Sequence, residues 1–227
     1  MKFVSRLCAA VLLAASSMAS QAVTTYGSNL IVNAGAEAGV SGWSAYAGTA
    51  LFISDIYSSN WVKPSEPGPV NRGSSLFVGG SGIPYAAGYQ VFDFSSQHAD
   101  VAAGKVSFAL SGWLGGWQGQ DDNAEVYVSF LDSLGNLVGG ATLGPVYAAA
   151  RSNVTGIYYR EASGAVPITA ASAVLSLSME RKASSDNDGY ADNLSFSISA
   201  VPEPQSYALM LAGLAAVGAA ARRRNRC

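Results

Sequence analysis

Cysteine is nearly absent from this chain of 227 residues: Cys8 and Cys227 stand near its two ends and none lies between. The long middle therefore has no disulfide staple and no thiol nucleophile. Its rigidity must come from a core, for which about 180 residues are enough, or from a bound metal. Histidine is as scarce. His98, in the polar stretch Ser95–Asp100, is the only one and reads as a solvated loop residue. There is no G-x-S-x-G elbow, no H-E-x-x-H pair and no phosphate-cradling glycine loop. Basic residues are also few away from the ends. Residues 23–201 hold seven Lys and Arg against fourteen Asp and Glu, a net charge of −7. That sign argues against nucleic acid and against an anionic membrane surface as partners. Divalent cations and neutral sugars remain compatible with it.

What is present is concentrated first at the termini. Met1, Lys2 and Arg6 precede the apolar run Leu7–Ala15, and Ser20-Gln21-Ala22 places small residues before Val23. This is the order of a Sec-type signal helix removed after residue 22, which implies the Sec translocon and signal peptidase as partners. At the other end stand Pro202-Glu203-Pro204, the apolar run Tyr207–Ala221 and the cluster Arg222-Arg223-Arg224-Asn225-Arg226. The prolines end whatever fold precedes them. The run favours a transmembrane helix, but fifteen residues rise only about 22 Å against a hydrocarbon core of about 30 Å. The arginines should stay cytoplasmic. Such a marginal span suits transient membrane anchoring, with an ordinary C-terminal anchor as the alternative.

This order of parts resembles the PEP-CTERM sorting signal of Gram-negative bacteria. The resemblance implies an exosortase membrane protease as partner, acting near Pro202, Glu203 and Pro204. It also implies passage through the inner membrane to the cell surface or extracellular matrix. The domains expected are thus 1–22, a sandwich over 23–200, and a sorting signal over 201–227.

Between the ends, short alternating runs recur. Val106, Phe108 and Leu110 share one face, as do Val126, Val128 and Phe130, then Leu175, Leu177 and Met179, then Leu194, Phe196 and Ile198. Period-two alternation with Gly, Ser and Asn at the joints predicts half-buried antiparallel strands. No long amphipathic helix interrupts them. The expected fold is all-β, one antiparallel β-sandwich, with barrel closure as the alternative.

The opening Asn29-Leu30-Ile31-Val32-Asn33-Ala34-Gly35-Ala36-Glu37 and the closing Asp192-Asn193-Leu194-Ser195-Phe196 resemble the jelly-roll, galactose-binding-like sandwiches, which include family 4/9-type carbohydrate-binding modules. The resemblance implies a structural calcium where the first and last strands meet, held by Glu37 and Asp192. Asp188 and carbonyls around Asn71 to Ser75 are expected to add ligands. Without a metal, Glu37 is a solvated turn residue and Asp192 a capping carboxylate. Asp186 to Gly189 is not an EF-hand loop, because Ser197 falls where a bidentate Glu belongs.

Two readings of function compete with a third. A glycan-binding module needs aromatic platforms beside amides and carboxylates. Trp117, in a glycine-rich loop with Gln118 and Asp121, is the leading candidate, followed by Trp61. Trp43 and Trp113 are expected in the core. Tyr85 and Tyr89 are weaker candidates for lining a groove. A non-catalytic domain binding exopolysaccharide is the leading expectation, and a structural biofilm or matrix protein without a ligand is the alternative. A glycoside hydrolase needs paired carboxylates; Asp121 and Asp122, with Glu125 three residues on, are the candidates, but adjacent residues should point to opposite faces of a strand.

Overall fold

The computed structural model describes residues 24–201. The signal segment, residues Pro202 to Cys227 and the predicted transmembrane helix lie outside the described residues. Among the described residues, no helix is long and apolar enough to cross a membrane.

The strands are β1 (Ser44–Ala45), β2 (Ile53–Ile56), β3 (Ser75–Ser81), β4 (Tyr85–Asp93), β5 (Val106–Gly116), β6 (Asn123–Leu131), β7 (Leu137–Leu143), β8 (Gly156–Ala165), β9 (Ser172–Glu180) and β10 (Asp186–Ala200). They form two five-stranded sheets, ordered β1-β4-β9-β6-β7 and β2-β3-β10-β5-β8. Every strand pairing is antiparallel. Only β2–β3 and β6–β7 are successive partners in one sheet; the other links carry the chain between sheets. The result is the antiparallel β-sandwich that the alternation predicts.

The alternating sets named above become the inner faces. Val106, Phe108, Leu110, Val126, Val128, Phe130, Leu175, Leu177, Met179, Leu194, Phe196 and Ile198 all enter one buried cluster. Phe130 packs against Phe108, with ring centres 5.1 Å apart, and so joins the two sheets. A second, smaller cluster lies outside the β2-β3-β10-β5-β8 sheet. Tyr57, Trp61 and Val62 from the loop after β2 cover Leu76, Val78, Ile157 and Tyr190 there. Trp113, expected inside, follows the opposite parity from Phe108 and Leu110. It stands half-buried on this outer side, 5.8 Å from the Tyr159 ring.

The asparagines of the opening motif have specific work. The Asn29 side chain accepts from Phe196 N and Ile31 N and donates to Leu194 O, tying the first residues to β10. Buried Gln90, on the inner side of β4, donates to Val32 O and accepts from Val32 N. Gln90→Leu keeps the volume but leaves two main-chain groups without partners. It is expected to lower unfolding free energy by about 1–3 kcal/mol in urea titration.

Both ends of the described chain emerge together. Thr24 Oγ1 donates to Asp93 O, Tyr26 to Asp100, and Val201 N to Lys105 O. The turn between β4 and β5, which contains the short helix α1 (His98–Ala102), marks that end of the sandwich.

Candidate functional site

At the joined ends the closing motif makes a β-bulge. Register against β5 slips between Asp192 and Ser195, and Asn193 adopts a positive φ of 47°. Asn tolerates this conformation and bulges re-aim side chains. Asp192 is fully buried; its Oδ2 accepts from the Tyr57 hydroxyl at 2.6 Å and its Oδ1 from Asn193 N at 2.7 Å. Burial, with the nearby Glu37 charge adding to it, raises its pKa to about 7, although the Tyr57 and Asn193 hydrogen bonds pull the other way. Glu37 Oε1 accepts from Ser74 N and Ser75 N. Gly73 leaves room for this: it has φ +65°, and a Cβ there would lie 2.3 Å from Glu37 Oε1. Asn193 Nδ2 reaches Asn71 O and Oδ1. Glu37, Asp192 and the Asn71–Ser75 loop therefore do meet.

Asp188 does not join them. Its surroundings are Tyr190, Asp122, Asp186 and Arg151, whereas those of Asp192 are Tyr57, Asn193, Glu37 and Arg72. It accepts from the Tyr190 hydroxyl, and its N–H donates to Asp122. Four residues of extended chain, about 13 Å, part the two aspartates, and Asp188 is held at the Asp122 end. Among the described residues no group of three His, Cys, Asp or Glu could hold a metal ion. A cation at the joined ends would have to combine two carboxylates with carbonyl and amide oxygens. That donor set suits calcium.

The glycine-rich loop after β5 is organised by a buried cation. Arg151 is 1% exposed, and its guanidinium donates to the carbonyls of Val146, Gln118, Gln120 and Val154. Gln118 and Asp121 are exposed, while Trp117 is half-buried against the second cluster. Trp61 is not a surface platform: it is 6% exposed and its indole N–H donates to Asp55. As parity predicts, Asp121 and Asp122 diverge. Asp121 accepts from Ala148 N at the surface, whereas Asp122 is buried and accepts from Lys182, Ala183 and Asp188 N–H groups. They cannot flank one bond.

The most developed surface lies elsewhere, on the outer face of the β1-β4-β9-β6-β7 sheet. Its rows read straight off the register. Tyr89, Ser176, Tyr127 and Thr142 form one row; Ala87, Ser178 and Glu125 the next; Tyr85, Glu180 and Asn123 the last. The central strand, β9, places Ser176 and Ser178 between the flanking tyrosines; both are covered, at 1% and 8% exposed, so the tyrosines form the accessible face. Tyr89 and Tyr127 stand two strand spacings apart, about 10 Å. Tyr46, arriving from the loop after β1, packs on the Tyr89 ring at 4.7 Å. Its hydroxyl bonds Ser176 and lies beside that of Tyr127. Burial raises the pKa of Tyr46 and Tyr85, so both stay neutral hydrogen-bonding groups. The sequence pointed to this face through Tyr85 and Tyr89, and through Glu125 as a candidate carboxylate. The alternation of Glu125, Tyr127 and Ser129 with Val126, Val128 and Phe130 carried the missing signal, and Tyr46 had none.

Comparison with known proteins bears on both the sandwich and the tail. No curated protein matches the chain. Among solved structures, a family 16 carbohydrate-binding module is similar at 20% identity, covering 74% of this chain and 99% of that one, with a TM-score of 0.50. The N-terminal tandem CBM22 domain of Paenibacillus barcinonensis Xyn10C matches at 12% identity over 80% of this chain and 50% of that one, TM-score 0.43. The enzymatically active domain of bacteriophage CBA120 tailspike protein 4 matches at 17% identity over 75% of this chain, TM-score 0.46. This chain covers only 21% of that one. Residues 200–224 match the PEP-CTERM protein-sorting motif. The chain is thus a β-sandwich of the fold seen in carbohydrate-binding modules, followed directly by a PEP-CTERM protein-sorting motif.

Proposed function

We propose that the sandwich is a non-catalytic glycan-binding domain, exported and processed by an exosortase, that holds an exopolysaccharide chain along β9. The observation that carries this reading is the row Tyr89–Ser176–Tyr127 with Tyr46 stacked upon it. Aromatic rings supply apolar faces for sugar rings, and neighbouring hydroxyls and carboxylates supply the hydrogen bonds that orient them. The similarity to a carbohydrate-binding module supports the reading at the level of fold, and the sorting motif supports export to the cell surface.

Calcium belongs to the same proposal as a structural ion. Glu37 and Asp192, with oxygens of Asn71 and Asn193, would hold it and pin the first residues to the last strand. It would supply charge neutralisation, and no chemistry is asked of it.

The test is binding of the secreted domain to a panel of polysaccharides, by affinity electrophoresis and then calorimetry. Tyr89→Ala is expected to weaken binding to the recognised glycan about tenfold while the melting temperature changes little. Trp117→Ala should leave the affinity intact. Loss of binding on Trp117→Ala with none on Tyr89→Ala would move the site to the glycine-rich loop. A panel with no binder at all would overturn glycan recognition.

A further inference from the structure

This tyrosine face is chemically unequal along its length, and that names the class of sugar it suits. The inference rests on the glycan-binding reading above. Glu125 and Glu180 both point out from the last two rows. Glu125 faces Ser178 across the strand pair, and Glu180 is the diagonal neighbour two residues on, about 7 Å away. The basic side chain here is Lys182, whose Nζ lies 2.6 Å from Glu180 Oε1 and which is thereby committed. Glu125 keeps an uncompensated charge in a half-buried setting. Burial raises its pKa, and the Glu180 charge raises it further. The Tyr85 hydroxyl, bonded to Ser178, stands beside both carboxylates. Three further cations are turned elsewhere. Arg151 is buried under the glycine-rich loop, Arg160 lies on β8 of the other sheet, and Arg181 is turned to Ser185 O.

A bound sugar carboxylate would add a third negative charge to this end and find only Lys182, already paired with Glu180. A protonated amine would find Glu125 on one side and the Tyr85 hydroxyl on another. Charge is thereby used to reject as well as to attract. We infer that the Glu125 end of this face is a subsite for the ammonium group of a hexosamine, so that the preferred glycan is an amino-sugar polymer and a polyuronate is refused.

Calorimetric titration of the secreted domain with three oligomers tests this: a glucosamine oligomer, its fully N-acetylated counterpart and an oligogalacturonate. Near pH 6 the amine is charged. The glucosamine oligomer is expected to bind about tenfold more tightly than the acetylated one, and the oligogalacturonate not to bind. Glu125→Gln should bring the glucosamine-to-acetyl ratio close to one. Glu161→Gln, which removes the same charge from β8 on the opposite sheet, should leave the ratio in place. Equal affinity for the two hexosamine oligomers overturns the ammonium subsite, as does an equal loss of preference in Glu161→Gln. If instead no oligomer binds, or Tyr89→Ala changes none of the affinities, it is the glycan-binding face itself that fails.

Discussion

Arg151→Met should lower the free energy of unfolding by about 3–5 kcal/mol, the size expected when one partner of a buried charged network is removed. The residue is 1% exposed and burial pulls its pKa down, with Asp121 and Asp122 nearby opposing that shift. Its guanidinium nevertheless forms its hydrogen bonds with carbonyls alone, those of Val146, Gln118, Gln120 and Val154. Each of these groups left dry would cost about 1–3 kcal/mol, less whatever water can enter and replace. Lysine is no substitute. An ammonium is a single point with three donors and cannot span carbonyls on three sides as a planar fork does. Urea denaturation of wild type, Arg151→Met and Arg151→Lys measures the effect. A loss below about 1 kcal/mol in both variants would show that the loops at Gln118–Gln120 and Val146–Val154 do not depend on the guanidinium.

The second large effect is at Asp192, and its sign is set by burial. In EDTA the folded carboxyl titrates at about 7, whereas in the unfolded chain it titrates near 4. Between those values the folded state holds a proton that the unfolded state has released. Stability must therefore fall as pH rises through about 4 to 7. The full linkage is worth roughly 4 kcal/mol, and relaxation around the charge should bring it to about 2–4. Calcium reverses the logic, because a cation between Glu37 and Asp192 favours the ionised form. Thermal melts near pH 8 should rise on adding Ca²⁺, and the slope against pH should flatten. Asp192→Asn should lose both the pH slope and the calcium response. Melts in EDTA that do not change from pH 5 to 8 would refute the titration. Melts indifferent to Ca²⁺ would remove the metal.

Much of the sandwich was legible because one periodicity governs it. A strand with one face in a core must alternate, and the four alternating runs became β5, β6, β9 and β10 with the expected residues inside. The opening and closing motifs were also informative, since Glu37 and Asp192 do meet. What failed did so for local reasons. Asp188 is four residues from Asp192, a spacing that keeps both on one side of a strand but about 13 Å apart, too far to share one ion. Trp61 follows polar Ser59 and Asn60, as a surface loop residue would, yet the loop folds back over Tyr190 with ring centres 6.2 Å apart. The tyrosine face was hardest to see. Its residues come from β4, β6, β9 and the Tyr46 loop, and nothing in the order of the chain states that β9 lies between β4 and β6.

One feature of the fold has a mechanical meaning. The chain leaves the sandwich at Val201, straight from the end of β10, and β10 is the middle strand of its sheet. Antiparallel hydrogen bonds run across the strands. A pull on Val201 along the strand axis therefore loads the ladder with β5, from Val106 to Gly115, in shear. Its rungs must give way together, whereas a strand peeled from an edge gives way rung by rung. The tyrosine face follows β9 on the other sheet, with its Glu125 end farthest from Val201. A domain held at Val201 and gripping a polymer along β9 would thus meet tension in its most resistant direction.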